Sequence, residues 1–298
     1  LRLSDVQFWR PYLEQILSRH GFTDCIAEKP TAGLGSTYPT FLFKDIVVKL
    51  CGHARTWHES YFTECEAQKY IANNSEIVAP ALIAYGFLFE QTDASWPYLV
   101  TSRISGHTWE SAQLPHREKL SLAAELGKQI KCLHALTPFG IPKEKDRSEL
   151  NLIEAAKQSS LPPHLIQQIE NYVNLSSDYD RVFVHSDLIA RHVFVEGSRL
   201  RGIIDWGDAA FTDRHYELGK ICLDLFECDK DLLRVFLESS NWPVDRDFAN
   251  KALSYALLRQ AVGITQHFSF DIFHIAKIVL HIEDIPTLEE LASELFKP

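Results

Sequence analysis

The sequence of 298 residues lacks long apolar runs. No window approaches the roughly 18 uninterrupted apolar residues that a membrane span needs, so we expect no transmembrane helix and no membrane partner. The opening stretch LRLSDVQFWRPYLEQ lacks a charged start followed by an apolar run, which argues against a secretory signal. Hydrophobic residues nevertheless make up 46% of the chain and charged residues 23%. That balance is typical of a globular protein with a sizeable core.

Basic tracts are also missing. Asp and Glu number 40 against 30 Lys and Arg, which gives a formal net charge of −10. An acidic chain without a basic patch argues against nucleic acid as a partner. The acidic balance favours a small partner of neutral or positive charge; the alternative interpretation is that it only keeps the protein in solution.

The six cysteines do not form a metal-binding pattern. No CxxC pair and no Cys/His cluster with zinc spacing occurs. Several cysteines lie in apolar helical or strand contexts, which favours buried free thiols in a reducing compartment. We therefore expect a cytoplasmic protein without a structural zinc.

The order of predicted elements indicates two lobes. Apolar spacing predicts helices over 4–20 and 56–72, strands with a glycine loop over 25–50, and two more strands over 81–90 and 98–104. The rest is mainly helical, apart from a compact strand–loop–strand stretch over 182–206. We therefore predict an α+β protein with a small antiparallel β-sheet lobe that carries one long helix, over 1–101, and a larger, mainly helical lobe over 102–298.

The stretch from 182 to 220 carries the most specific motif. It contains His185-x-Asp187, then His192 five positions after the aspartate, then an apolar strand that ends in Ile204-Asp205-Trp206-Gly207. Phosphoryl transfer from a nucleotide needs one carboxylate beside the attacking hydroxyl. It needs a second carboxylate, usually with one further ligand, to hold magnesium against the phosphates. Asp187 can supply the first carboxylate, Asp205 the second carboxylate and His192 the further ligand.

These paired motifs resemble those of the aminoglycoside phosphotransferase family, relatives of choline kinases with a protein-kinase-like fold. The resemblance spans nearly the whole chain. It implies that Asp187 is the catalytic aspartate, that His185 braces the catalytic loop, and that Asp205 is the principal magnesium ligand. It also implies that Asp213 pins the catalytic loop from the following segment.

His192 departs from the family pattern, which usually has Asn at this place. A neutral imidazole nitrogen binds metals, although magnesium prefers oxygen ligands. His192 is therefore predicted as a metal ligand, with Mn²⁺ as an alternative to Mg²⁺. The other interpretation is that His192 only forms a hydrogen bond with Asp187 or with a phosphate.

The nucleotide is expected in the β-rich lobe. Lys49 lies at the end of the apolar strand IVVKL, one residue before its last, where the family places the lysine that contacts the α- and β-phosphates. A helical glutamate should pair with it, and both Glu64 and Glu66 are available; helical spacing favours Glu64. The loop before the strand supplies glycines for close backbone approach and hydroxyls that cover phosphates, so we predict that it binds the nucleotide through Gly33, Gly35, Ser36 and Thr37.

The predicted reaction is transfer of the γ-phosphate of ATP or GTP to a hydroxyl of a small acceptor. The first choice of acceptor is an aminoglycoside or hygromycin-like antibiotic, which implies antibiotic resistance, and Glu217 and Asp208 are candidate acidic contacts for it. The alternatives are an amino alcohol, a sugar or a macrolide. A different class of function is a nucleotide-binding protein of the same fold without catalysis.

Overall fold

The computed structural model of the chain describes residues 3–33, 37–52, 57–90, 95–137, 150–173, 175, 181–266 and 270–298. Close contacts divide the chain into two compact units. The first unit comprises Leu1–Ser75, Ala79–Ser105 and Gly202–Asp208; the second unit comprises Glu76–Val78, Gly106–Arg201 and Ala209–Pro298.

The first unit is built on one antiparallel sheet. Its five described strands run in the order β1-β2-β3-β5-β4. They span Thr31–Ala32 (β1), Thr40–Leu42 (β2), Ile46–Leu50 (β3), Leu82–Leu88 (β4) and Trp96–Ser102 (β5). A tight turn joins β2 to β3, and the Phe43 N–H donates to the Ile46 carbonyl across it at 2.9 Å.

Helix α1 (Val6–Arg19) covers one face of this sheet. Asp5 caps the helix, because its carboxylate accepts a hydrogen bond from the Phe8 N–H at 3.0 Å. The apolar side of α1 forms a core with the sheet residues that point toward it; the members include Trp9, Leu13, Ile16, Leu17, Phe41, Ile46, Val48, Leu50 and Val100. In β3, alternate residues are buried in this core, which turns Lys49 to the opposite face.

The opposite face of the sheet contacts helix α3 (Trp57–Ile71). Tyr61 and Cys65 of α3 pack with Tyr38, Cys51 and Leu99 in a second buried cluster. Leu99 lies directly across from Lys49 in the β3–β5 register. Lys49 therefore lies on the face of the sheet that α3 covers.

Short strands frame the motif-bearing segment of the second unit. Strand β7 (Arg181–Val184) pairs antiparallel with β10 (Ala210–Asp213), and β6 (His107–Thr108), β8 (Val193–Glu196) and β9 (Arg199–Ile203) form a small sheet. β7 ends at the residue before His185. β9 runs from the second unit into the first and ends just before Ile204.

Helices make up most of the second unit. The longer ones are α4 (His116–His134), α9 (Lys230–Ser240), α10 (Phe248–Gln266) and α12 (Leu288–Phe296). The shorter ones are α5 (Leu152–Ala156), α6 (Pro163–Ile166), α7 (Ile169–Tyr172), α8 (His215–Lys220) and α11 (His274–Leu280). A π-helical stretch, Ile221–Leu225, continues α8, and a 3-10 turn covers Ile282–Asp284. Gly127 permits close approach of α4 to α9, because a Cβ there would lie 2.6 Å from the Phe236 carbonyl oxygen.

The predicted α+β class is confirmed, with one local correction. The predicted stretch of strands over 25–50 was expected to start with a strand before the glycine loop. Cys25 and Ile26 instead belong to a short helix, α2 (Thr23–Ile26), and before the loop only Thr31–Ala32 is a strand. The reason is a long-range contact: Arg10 of α1 donates hydrogen bonds to the carbonyls of Ile26 and Glu28 at 2.5 and 2.9 Å. Those carbonyls therefore do not pair in the sheet.

The first unit also takes in a segment from far along the chain. Gly202–Asp208 lies with it, although this segment falls inside the predicted second lobe, 102–298. Gly202 packs so closely on Ile104 that a Cβ would lie 2.0 Å from the isoleucine side chain, and Gly207 lies against Ser60 of α3. Asp205 is thereby placed beside the five-stranded sheet.

The sequence led to expectations about the cysteines and about membrane-spanning helices. All six cysteines are free thiols, and four of them are buried. Among the described residues, no helix combines the length and the hydropathy that a membrane span requires.

Candidate active site

Lys49 joins two carboxylates in the first unit. Its ammonium group donates hydrogen bonds to Glu64 Oε2 at 2.6 Å and to Asp205 Oδ1 at 2.8 Å. Strand β3 supplies the lysine and α3 supplies Glu64. Of the two candidate glutamates, Glu64 contacts Lys49, whereas Glu66 contacts Lys69 at 2.9 Å on the outer side of α3.

Burial and the neighbouring charges have opposite effects on the pKa of Lys49. Burial alone would lower the pKa of its ammonium group, but the carboxylates of Asp205 and Glu64 outweigh that effect and raise the pKa well above its usual value. Tyr38 adds to the enclosure, since its ring centroid lies 5.2 Å from the Lys49 Nζ atom. The side chain of Asp205 stays 41% exposed. The cluster is thus a fixed cation beside an accessible carboxylate.

Asp205 sits on a constrained backbone. Its φ angle is +67°, in the left-handed region that non-glycine residues rarely adopt. The next residue, Trp206, is fully buried and donates its indole N–H to the Ile203 carbonyl at 3.0 Å. A Trp206–Asp208 3-10 turn follows. The buried indole therefore fixes the turn that presents Asp205.

The predicted glycine loop is only partly described. Gly33 closes onto β2, because its N–H donates to the Thr40 carbonyl at 2.8 Å and a Cβ would lie 3.1 Å from the Thr40 methyl group. Thr37 lies in a bend and is half-buried. Gly35 and Ser36 lie outside the described residues. The expectation that this loop covers phosphates stays a prediction.

The loop of the second unit that carries His185 and Asp187 is held by a buried glutamate. Glu217 of α8 is fully buried, and its carboxylate accepts hydrogen bonds from the N–H groups of His185 (3.2 Å) and Ser186 (2.9 Å). Ser186 has a φ of +70°, so these bonds hold a strained backbone. Burial raises the pKa of Glu217 to about 7, against the effect of the two backbone donors.

Glu217 and Asp213 therefore differ from the expectations for them. Glu217 does not face an acceptor, because it is enclosed beneath the loop. The Asp213 carboxylate instead accepts from the N–H and the ring nitrogen of His215, at 2.8 and 2.7 Å. The carboxylate that binds the loop backbone is that of Glu217, four residues further on.

Two cations contact the Asp187 side chain. Lys220 Nζ lies 3.3 Å from Asp187 Oδ1, and Arg259 Nη2 donates to the same oxygen at 3.2 Å. Arg259 also donates from Nε to the Ser186 carbonyl at 3.2 Å. Burial alone would raise the pKa of Asp187, but Lys220 and Arg259, with smaller effects of His192 and His185, hold that pKa well below its usual value. Asp187 is therefore a carboxylate, ready to accept a hydrogen bond from a hydroxyl.

The two histidines of the loop have different settings. His185 is fully buried, and its Nδ1 accepts from the Asp187 N–H at 3.3 Å, so it braces the turn from inside. His192 Nδ1 lies 2.8 Å from the Asp187 carbonyl oxygen, which requires the proton on Nδ1. In the neutral ring Nε2 then carries the lone pair that a metal needs.

The donor types fit a divalent cation. The exposed Asp205 carboxylate is a hard oxygen donor, which suits Mg²⁺, and the His192 imidazole is a nitrogen donor, which suits Mn²⁺ better than Mg²⁺. A different group, formed by His116, Asp229 and Asp231, brings three ligand-type atoms within 4.8 Å of one another on the surface of the second unit.

Comparison with known proteins identifies the family. The chain matches the phosphotransferase enzyme family, APH, over residues 33–247. The chain belongs to this phosphotransferase family. The match confirms the predicted class of enzyme, an ATP-dependent phosphotransferase with an alcohol group as acceptor.

Solved structures confirm the predicted protein-kinase-like fold of the phosphotransferase. The GDP complex of an aminoglycoside 2'-phosphotransferase of type IIIa is 18% identical with a TM-score of 0.66, and the match covers 96% of each chain. An aminoglycoside 3'-phosphotransferase of type VIII is 20% identical with a TM-score of 0.55, over 81% of this chain and 99% of that one. A macrolide 2'-phosphotransferase from Brachybacterium faecium is 15% identical with a TM-score of 0.59, over 97% and 98%. At these identities the likeness establishes the fold.

Sequence reasoning missed Lys220 and Arg259 of this phosphotransferase. One signal was available for Arg259: it is a single arginine within the mainly apolar turns ALSYALLRQAVG of α10, and a buried arginine in such a helix needs a carboxylate partner. Lys220 gave no comparable signal, since a lysine at the end of a short helix is commonly exposed. Only the fold brings both to Asp187.

Proposed function

We propose that this protein transfers the γ-phosphate of ATP, or of GTP, to a hydroxyl of a small acceptor molecule. The observation that carries the proposal is the Asp187 carboxylate, kept ionised by Lys220 and Arg259 on a loop held by Glu217. Such a carboxylate orients a hydroxyl for attack, which is the main contribution a protein makes to phosphoryl transfer.

Each group has a role in the balanced reaction. The acceptor hydroxyl donates its hydrogen bond to Asp187, its oxygen forms a bond to the γ-phosphorus, and the bond from that phosphorus to the β–γ bridging oxygen breaks. The hydroxyl proton passes to the Asp187 carboxylate and from there to water, and ADP leaves. His185 positions the loop. Lys49, held by Glu64, contacts the α- and β-phosphates, with Gly33, Gly35, Ser36 and Thr37 covering them.

Asp205 and His192 would hold the divalent cation. When bound, that cation would neutralise the charge of the phosphates, which phosphoryl transfer from a nucleotide requires. Asp205 would be the principal ligand, because its carboxylate is exposed beside Lys49. His192 would be the further ligand through Nε2.

The acceptor is proposed as an aminoglycoside or hygromycin-like antibiotic, with an amino alcohol, a sugar or a macrolide as the runner-up classes. One support is the stretch IDWGDA around Asp205, which resembles that of the antibiotic-modifying members of the family. The other is the net charge of −10, which favours a cationic acceptor. One related fold is described in complex with GDP and kanamycin, and another is named a macrolide 2'-phosphotransferase, so both acceptor classes belong in the test. We further propose a cytoplasmic location and a nucleotide-binding domain over 1–101 followed by a catalytic domain over 102–298.

ADP release tests this proposal. The enzyme is assayed with Mg-ATP and with Mg-GTP against kanamycin, hygromycin, choline, glucose and erythromycin, with Asp187→Asn as the control. Acceptor-dependent ADP release by the wild-type protein and its loss in Asp187→Asn are the expected results. ATP binding without turnover on any acceptor would favour the non-catalytic nucleotide-binding class.

A further inference from the structure

The two oxygens of the Asp187 carboxylate have different surroundings. Oδ1 receives both cations, Lys220 at 3.3 Å and Arg259 at 3.2 Å. Oδ2 lies on the side of His192, whose Nδ1 is 3.6 Å away. A carboxylate with one oxygen held by two cations loses its freedom to rotate. The second oxygen then points in a fixed direction.

A single aromatic ring covers both cations. Lys220 Nζ lies 4.5 Å and the Arg259 guanidinium 4.9 Å from the centroid of the Phe270 ring. A cation over the face of a ring is attracted by the ring quadrupole, and more strongly where water is excluded. Both cationic side chains are buried, with 11% and 3% of their surfaces exposed. The ring therefore stabilises two charges that burial would otherwise penalise.

Helix α10 holds this ring in place. Gln260 is fully buried; its amide donates to the Phe270 carbonyl at 2.9 Å, and its side-chain oxygen accepts from the Ile272 N–H at 3.0 Å. Gly263 provides the space, because a Cβ there would lie 2.1 Å from a carbon of the Phe270 ring. A side chain at position 263 would displace the ring. The position of the ring is thus set by two residues of α10, Gln260 and Gly263, which lie outside the loop of Asp187.

We propose that Phe270, Lys220 and Arg259 act together as positioning residues for Asp187: the ring holds the cations, the cations hold Oδ1, and Oδ2 accepts the hydrogen bond of the acceptor hydroxyl. This inference rests on the proposed phosphotransferase reaction of Asp187. A small displacement of a group that orients a nucleophile costs about 100-fold in rate. The loss should fall on kcat, since none of the three residues belongs to the proposed nucleotide-binding group.

The test is a set of matched variants. Phe270→Leu removes the ring quadrupole at similar volume, and Phe270→Tyr keeps it. Lys220→Met removes one cation, and Lys220→Arg keeps the charge. Tyr85→Leu is the control. Lys69 lies 4.5 Å from the centroid of the Tyr85 ring, a contact of the same kind within the first unit between two residues without a proposed role in the reaction. For each variant we would measure kcat and KM for ATP with the panel acceptor that the wild type uses, ATP hydrolysis without acceptor, and the melting temperature.

The expected result is a fall in kcat of about ten-fold in Phe270→Leu and about 100-fold in Lys220→Met, with KM for ATP unchanged. Phe270→Tyr and Lys220→Arg should recover most of the rate, and Tyr85→Leu should match the wild type. Gly263→Ala should reproduce Phe270→Leu through displacement of the ring. If the three residues had a purely structural role, the variants would have a lower melting temperature but would not combine a lower kcat with an unchanged KM for ATP.

Two other outcomes separate the two proposals. If the wild type turns over and both Phe270→Leu and Lys220→Met keep its kcat, the positioning inference is overturned while the proposed function stands. If the wild type binds ATP but releases no ADP with any acceptor or with water, the proposed function fails and the inference fails with it.

Discussion

The ammonium group of Lys49 lies 2.6 Å from the Glu64 carboxylate, and the pair is almost enclosed: the side chains are 15% and 5% exposed. A charged hydrogen bond in such a setting contributes about 1.5–3 kcal/mol. Removing one partner also leaves the other charge buried and less well compensated. A neutral substitution of Glu64 should therefore weaken the part of the first unit that holds Lys49.

Glu64→Gln should lower kcat/KM for ATP by about 10- to 100-fold, which is the free energy of one charged hydrogen bond expressed as a rate. Glu66→Gln is the matched control, because Glu66 contacts the exposed Lys69. It should change kcat/KM by less than about two-fold. Equal effects of the two substitutions would contradict the assignment of Glu64 as the partner of Lys49.

Asp205→Asn should abolish almost all turnover and leave the fold intact. The side chain is 41% exposed, so its loss costs little burial, but the cation site loses its principal oxygen ligand. Steady-state ADP release together with the melting temperature checks this. Appreciable turnover in Asp205→Asn would remove Asp205 from the metal site.

Glu217 makes stability depend on pH in a defined direction. Burial raises its folded-state pKa to about 7 from a usual value of 4.5, so the folded protein holds the proton that the unfolded chain releases. Its contribution to stability is therefore complete below about pH 4.5 and is lost as the pH rises through about 7. The melting temperatures of the wild type and Glu217→Gln, measured between pH 5 and 8, should diverge, with the decline over this range smaller in the variant. Parallel curves would show that Glu217 does not titrate there.

His192 should set the metal preference. Its imidazole nitrogen favours Mn²⁺ over Mg²⁺ more than an asparagine oxygen does. In His192→Asn with ATP bound, Mn²⁺ affinity measured by electron paramagnetic resonance should therefore fall relative to Mg²⁺ affinity measured by competition. An unchanged ratio would argue against His192 as a metal ligand and would favour its role as a hydrogen-bond partner of the Asp187 carbonyl.

Local sequence patterns predicted much of the fold, and they also predicted the Lys49 and Glu64 pair of the site. The position of Lys49 in the apolar strand after the glycine loop singled it out, and helical spacing favoured Glu64 over Glu66; both features lie in short stretches of sequence. Arg259 lies 72 positions from Asp187 along the chain. No period or motif links such residues, because only the packing of α10 brings them together. The same holds for the Arg10 contacts that turned a predicted strand into α2.

The most direct test of the central claim is mass analysis of the acceptor after incubation with ATP labelled with ¹⁸O in the γ-phosphate. The account predicts that the labelled phosphoryl group, with its three non-bridging oxygens, appears on the acceptor with wild-type protein and is absent with Asp187→Asn. ADP formation with all the label in inorganic phosphate, or label on the acceptor at the wild-type rate with Asp187→Asn, would contradict it.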